Sequence, residues 1–172
     1  MEKPVIGILM GSDSDYEVMR EAARALQEFD VPFEMLVSSA HRSPQRTLEY
    51  AESARERGIR AFIVGAGAAA HLAGVVASKT TLPVIAVPID STALKGLDAL
   101  LATVQMPGGI PVASMAIGKA GAKNAGLFAV QLLAATDADL ATRLNASRTV
   151  MAEGVAEKSE RLQQRLSADG LA

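Results

Sequence analysis

Seven consecutive residues, Ser38-Ser39-Ala40-His41-Arg42-Ser43-Pro44, bring together the side chains best suited to chemistry. They hold one of only two histidines in 172 residues, next to an arginine and three serines. An imidazole moves protons near neutral pH, and a guanidinium grips phosphate or carboxylate through a planar fork of donors. Two further groups stand apart in sequence. One is Gly11-Ser12-Asp13-Ser14-Asp15, with Ser12 and Asp15 as its candidates; the other is Gly65-Ala66-Gly67-Ala68-Ala69-Ala70-His71.

Each group has a plainer reading. Serine and aspartate are common helix caps, although a glycine turn with exposed amides at a helix start also binds anions. The first group is not a Walker loop, because no Gly-Lys-Thr follows, and it is not a dinucleotide fingerprint. His41 fits a surface loop as well as a proton-transfer site, and Arg42 fits a surface ion pair. The run 65–70 has no side chain beyond a methyl. It suits close helix–sheet packing, or a floor on which a flat ring lies against backbone. His71 is either a cap or a ligand contact. Two histidines a whole βα unit apart do not make a zinc site. Residues 105–111 are a rigid turn or a loop that closes a neighbouring subunit's site. Lys119 and Asn124 read as solvated.

The elements around these groups alternate. Apolar runs at 5–10, 32–37, 61–64, 83–87 and 112–115 read as strands, the fourth stopped by Pro88. A capping box of Ser14 and Glu17 starts the first helix, whose inward face is Val18, Ala22, Leu26 and Phe29. Ser43 caps the second helix, with Pro44 in its first turn, Leu48, Ala51 and Ala54 facing inward, and Gly58 ending it. A third runs from His71 to about residue 79, a fourth over 94–104 and a fifth over 121–135. Short crossovers between parallel strands are helical and right-handed. The fold class is therefore α/β, a doubly wound five-stranded parallel sheet in the flavodoxin-like order 2-1-3-4-5. Ligands bind such sheets at the strands' carboxyl ends near the switch point. There the turns after strands one, two and three converge.

Composition bounds the rest. The net charge of −2 and the absence of a basic stripe argue against nucleic acid. No cysteine is present, so there are no disulfides or thiolate metal sites. No apolar run spans a bilayer and no leader precedes the first strand, so a cytoplasmic protein is expected. Residues 1–136 form the catalytic domain and 137–172 a helical extension of it. The segment 124–135 is apolar nearly all round, which suggests a subunit interface. The tail carries a thin seam, Leu140, Leu144, Met151, Val155, Leu162 and Leu166, repeating every eleven residues. It packs across a neighbouring subunit, or frays beyond residue 160.

Five segments in order resemble class I 5-(carboxyamino)imidazole ribonucleotide mutase. They are Met10-Gly-Ser-Asp-Ser-Asp15, Val37-Ser-Ser-Ala-His-Arg-Ser-Pro44, Gly65-Ala-Gly-Ala-Ala-Ala-His-Leu72, Val104-Gln-Met-Pro-Gly-Gly-Ile-Pro-Val112 and Ile117-Gly-Lys-Ala-Gly-Ala-Lys-Asn-Ala125. The resemblance spans residues 5–135. It implies a flavodoxin-like subunit, usually in an octamer with sites at subunit contacts. It also implies a carboxyl shift within one ribonucleotide, from exocyclic nitrogen to ring carbon, with no ATP, metal or redox cofactor. By position, His41 is the family's general acid/base. Ser12, Asp15 and Arg42 match its substrate-binding residues for phosphate and ribose. Ser39, Gly67, Ala68, Ala69, His71 and Leu72 match the lining of the ring and carboxyl pocket. A related class carboxylates 5-aminoimidazole ribonucleotide directly, but typically has lysine after the histidine; Arg42 and Ala69-Ala70-His71-Leu72 side with the mutase. A non-catalytic nucleotide or flavin module on the same fold is the other rival, and scarce aromatics argue against flavin. The chain departs from the family at four places. Ala68 replaces a glycine, Ala73 a proline, Asp90 a glutamine or glutamate, and Tyr16 a tryptophan. If position 68 requires positive φ, alanine costs about 1 kcal/mol there.

Overall fold

The computed structural model describes residues 3–171. Met1, on which the expectation of no leader rests, lies outside them, as do residues 2 and 172. Two compact units are present, one running to Leu133 and one starting at Ala134.

The strands of the first unit are β1 Ile6–Met10, β2 Phe33–Val37, β3 Ala61–Gly67, β4 Val84–Ile89 and β5 Ala113–Ser114. Its helices are α1 Tyr16–Gln27, α2 Pro44–Arg57, α3 Leu72–Ala77, α4 Leu97–Val104 and α5 Gly118–Ala134. All strand pairs are parallel and the order is β2-β1-β3-β4-β5, as expected from the alternation. β1 and β4 are buried along their whole length, so their apolar runs are continuous rather than alternating. α2 and α3 cover one face, where Ala51, Ala54, Leu72 and Val76 pack with Leu9, Phe62 and Val64. On the other face, Met19 of α1 fills the space left open by Gly65 of β3. α5 lies against α1 almost backbone to backbone: a Cβ on Gly126 would come within 2.6 Å of the Ala22 carbonyl oxygen.

β2 is an edge strand and half-buried, so it needs fastening. Tyr50 Oη of α2 donates to Glu34 Oε1 of β2 at 2.7 Å, and Arg57 pairs with the same carboxylate. The Arg57 guanidinium lies 4.2 Å from the Tyr50 ring centroid. Burial, followed by the bond to Glu34, raises the Tyr50 hydroxyl far above its ordinary value and keeps it a donor. This cluster anchors the strand whose carboxyl end leads to His41.

Several boundaries differ from the sequence expectation, each for a local reason. β3 does not end at residue 64. It pairs with β4 through Gly65, Ala66 and Gly67, because glycine and alanine leave room for neighbours on both faces. Pro88 does not stop β4: β5 pairs only Ile85 and Ala86, so the proline lies beyond that ladder. α4 begins at Leu97, not 94. Thr92 accepts from Leu94 N–H and donates to Asp98, while Lys95 (φ 51°) and Gly96 (φ 83°) turn left-handed. The first capping box joins Ser12 and Asp15, not Ser14 and Glu17; a 3₁₀ turn, Asp13–Asp15, precedes α1. α5 starts at Gly118, three residues ahead of its expected start, and β5 is two residues long.

In the second unit, α6 Ala138–Ala168 is one helix of 31 residues, capped by Asp137, which accepts from Leu140 N–H at 3.0 Å. It continues past residue 160. Val150, Met151, Val155 and Leu162 are more than half exposed.

Just beyond β3, Ala68 has φ 52°. Left-handed backbone costs a Cβ-bearing residue about 1–2 kcal/mol, partly offset by the greater unfolded-state freedom of glycine. Ala68→Gly is therefore expected to stabilise the fold by about 0.5–1 kcal/mol. Chemical denaturation of both proteins checks this; an unchanged or lower midpoint contradicts it.

Candidate functional site

The loop after β2 is built by its own serines. Ser38 is buried, and its hydroxyl bonds Thr47 of α2 at 2.7 Å. Ser43 sits at the N-cap of α2, but its hydroxyl makes no cap bond. It donates back to the Ser39 carbonyl at 3.1 Å, and Ser43 N–H bonds the same oxygen at 2.9 Å. The five residues 39–43 close on themselves and turn their middle outward. His41 and Arg42 occupy that middle and are exposed. Ser39 Oγ accepts from Arg42 N–H at 3.2 Å and from Arg42 Nε at 3.4 Å. Arg42 Nη2 reaches across to the Gly11 carbonyl at 3.3 Å, joining the turns after β2 and β1.

The turn after β1 presents Ser12 and Asp15. Ser12 N–H donates to Asp15 Oδ2 at 3.1 Å, and Ser14 N–H to Ser12 Oγ at 3.3 Å. Asp15 is buried, and that burial raises its carboxyl above the ordinary aspartate value, with the Ser12 N–H pulling the other way. A carboxyl held in this way suits a hydroxyl partner better than an anion.

From β3 come Gly67, Ala68 and Ala69, followed by His71 and Leu72. His41 Nε2 lies 2.9 Å from His71 Nδ1, with the rings edge to face. One imidazole donates and the other accepts, so the bridge carries a single proton. It joins the turns after β2 and β3 above the small-residue floor.

These three turns enclose one cleft of about 500 Å³. Ser12, Asp15, Ser39, His41, Arg42, Gly67, Ala68, Ala69 and Leu72 all line it. Of the ten residues singled out from sequence, His71 alone is not part of the lining; it touches the site through His41. The register explains the convergence: Met10 pairs with Val37 on one side and Gly65 on the other, so three carboxyl ends lie level. Lys119 and Asn124 are exposed.

Sequence reasoning missed Ser91, which lines the cleft from the end of β4. The signal was available in the rule about strand carboxyl ends, but ending β4 at Pro88 placed Ser91 outside it. The buried Ser38–Thr47 bond was missed too, since nine residues separate partners that look like ordinary loop and helix polar groups.

A family model described as AIR carboxylase matches residues 5–154. A Bacillus subtilis protein named N5-carboxyaminoimidazole ribonucleotide mutase is 57% identical over 93% of this chain and 99% of its own. A Pyrococcus horikoshii protein of the same name is 55% identical, over 95% and 91%. Among solved structures, Treponema denticola PurE superposes with a TM-score of 0.82 at 26% identity, covering 92% of this chain and 98% of that one. With the family model matching most of the chain and relatives above half identity aligned nearly end to end, the chain belongs to the AIR carboxylase family.

Proposed function

We propose that this protein is a mutase of purine biosynthesis that moves a carboxyl group within 5-(carboxyamino)imidazole ribonucleotide, from the exocyclic nitrogen to the ring carbon. The observation that carries the reading is the one cleft in which a bridged histidine, an arginine and a buried carboxyl face a floor of small residues. The names of the relatives agree with it.

In this reading the Arg42 guanidinium and Ser12 take the phosphate, and Asp15 takes a ribose hydroxyl. The aminoimidazole ring lies on residues 67–69 with Ser39, His71 and Leu72 around it. His41 gives a proton to the exocyclic nitrogen as the nitrogen–carboxyl bond breaks, releasing carbon dioxide. The ring carbon then attacks carbon dioxide, and His41 removes the ring proton as base. Proton count balances over the two steps, so one imidazole suffices. The carbon dioxide is held beside the ring, which makes its recapture effectively intramolecular. In the free protein the His71 bridge holds the imidazole over the floor; substrate replaces His71 at Nε2.

We infer also that residues 1–136 act as the catalytic body and 137–172 as an extension used in assembly. Leu94, Leu97, Leu101 and Val104 stand about half exposed or more along and before α4, an apolar ridge that a second copy of the chain would cover. A homo-oligomer, an octamer by family resemblance, is the form proposed to work, in the cytoplasm.

His41→Asn is expected to bind nucleotide normally yet lose about 10²–10⁴-fold in turnover of the carboxyamino nucleotide supplied without ATP. Normal turnover by the variant removes His41 from the mechanism. If the wild-type protein works only on 5-aminoimidazole ribonucleotide with bicarbonate, the chain is a carboxylase instead. Arg42→Ala is expected to raise the dissociation constant roughly tenfold or more while sparing bound-state turnover; unchanged affinity reassigns the phosphate. Light scattering on the purified chain is expected to give a mass several times the 17.9 kDa of one copy; a monomer contradicts the assembly.

A further inference from the structure

The cleft is chemically lopsided. On the side of β1 and β2 it presents hydroxyls, a carboxyl, a guanidinium and an imidazole. On the side of β3 and β4 the lining is Ala66, Gly67, Ala68, Ala69, Leu72 and one more residue, Ser91. Ser91 is the single hydrogen-bonding side chain among the described lining residues of that half. Its hydroxyl has no partner among the described residues. The oxygen stands where a side chain on Gly67 would begin, 2.1 Å from the position of a Cβ, so glycine at 67 is what admits it.

The loop that carries Ser91 is tied down. Thr92 Oγ1 donates to Asp98 Oδ2 at 2.9 Å, and Leu94 N–H bonds Thr92 Oγ1 at 3.1 Å. Lys95 N–H closes on the Thr92 carbonyl at 3.0 Å. Lys95 and Gly96 are both left-handed, and a Cβ on Gly96 would lie 2.6 Å from Ile117. A segment held by this many bonds in costly backbone states is set in one conformation. The backbone that carries Ser91 is therefore fixed at the rim of the cleft.

We propose that Ser91 is the donor that recognises the carboxyl group of the nucleotide. This rests on the mutase reading above. Strands in a sheet are about 4.8 Å apart, so the β2 loop and the β4 end lie roughly three spacings apart across the cleft. With the phosphate at Arg42, the ribose and ring extend over β1 and β3, and the carboxylated edge of the ring arrives at Ser91. A carboxylate entering a floor of methyl groups without a donor loses its solvation uncompensated. Ser91 supplies that donor to substrate and product, both of which carry a carboxylate. It has no such role toward the nucleotide that lacks the carboxyl.

The test is paired calorimetric binding on the full chain. Ser91→Ala is measured against 4-carboxy-5-aminoimidazole ribonucleotide and against 5-aminoimidazole ribonucleotide. Ser91 is exposed, so the variant is expected to fold as the wild type does, which circular dichroism and melting check. Binding of the carboxylated nucleotide is expected to weaken roughly 10- to 100-fold, as for a lost bond to a charged group. Binding of the decarboxylated nucleotide is expected to stay within about twofold. An equal loss for both, or no loss for either, overturns the assignment to the carboxyl. If the wild-type protein binds neither nucleotide, it is the mutase reading that fails, and the two failures are distinct.

Discussion

A Cβ placed on Gly65 would lie 2.3 Å from Met19 Sδ, and one on Gly67 would lie 2.1 Å from Ser91 Oγ. Two residues apart on one strand, Gly65 and Gly67 leave the same face of the carboxyl end of β3 without side chains, while Ala66 between them turns its methyl to the other. At Gly65 the missing side chain lets α1 close on the sheet. At Gly67 it opens the cleft and admits the Ser91 hydroxyl. The first unit is arranged around this strand end: the neighbouring turns rise beside it, and nothing rises from it until His71. The left-handed backbone at Ala68 is part of the same device, since it turns the chain off the strand without placing bulk in the cleft.

Around that floor, polar groups are used first to build loops and only then to face a ligand. Ser38 and Ser43 spend their hydroxyls on Thr47 and on the Ser39 carbonyl, which leaves His41 and Arg42 as the projecting pair. Ser39 splits its role, accepting from Arg42 while lining the cleft. Asp15 is held by Ser12 N–H, and its burial favours the protonated form. Arg42 is thereby oriented by Ser39 and the Gly11 carbonyl, and His41 by His71. Rotamer entropy is then lost during folding and not at binding, the condition for a preorganised site.

Much of this was legible in the chain. The buried strands were continuous apolar runs, and the helices announced themselves through Pro44, Gly58 and the spacing of alanines, so a parallel doubly wound sheet followed, with the flavodoxin-like order as the natural choice for five strands. The cleft was legible because strand ends in such a sheet are where ligands go, and the candidate residues all followed strands. Misplaced boundaries had a common cause. At Gly65–Gly67 and at Pro88, residues that usually break structure stand where neighbours need room or, for Pro88, where only the β3 side of the strand carries a ladder. Local propensity reads the residue, whereas the ladder depends on what lies beside it.

The order of the linear pattern therefore determined the fold class, the edge of the sheet that carries chemistry, and the three turns that meet at the cleft, while the family resemblance supplied the individual lining residues. Those properties follow from local periodicity and from connection rules that act along the chain. Tertiary structure alone decided the His41–His71 bridge, the span of Arg42 to Gly11, the buried Ser38–Thr47 bond and the place of Ser91 over Gly67. Each joins residues from different turns or elements, and hydrogen-bond distances of 2.7 to 3.3 Å between such groups are set by strand register and side-chain packing. No spacing along the sequence encodes them.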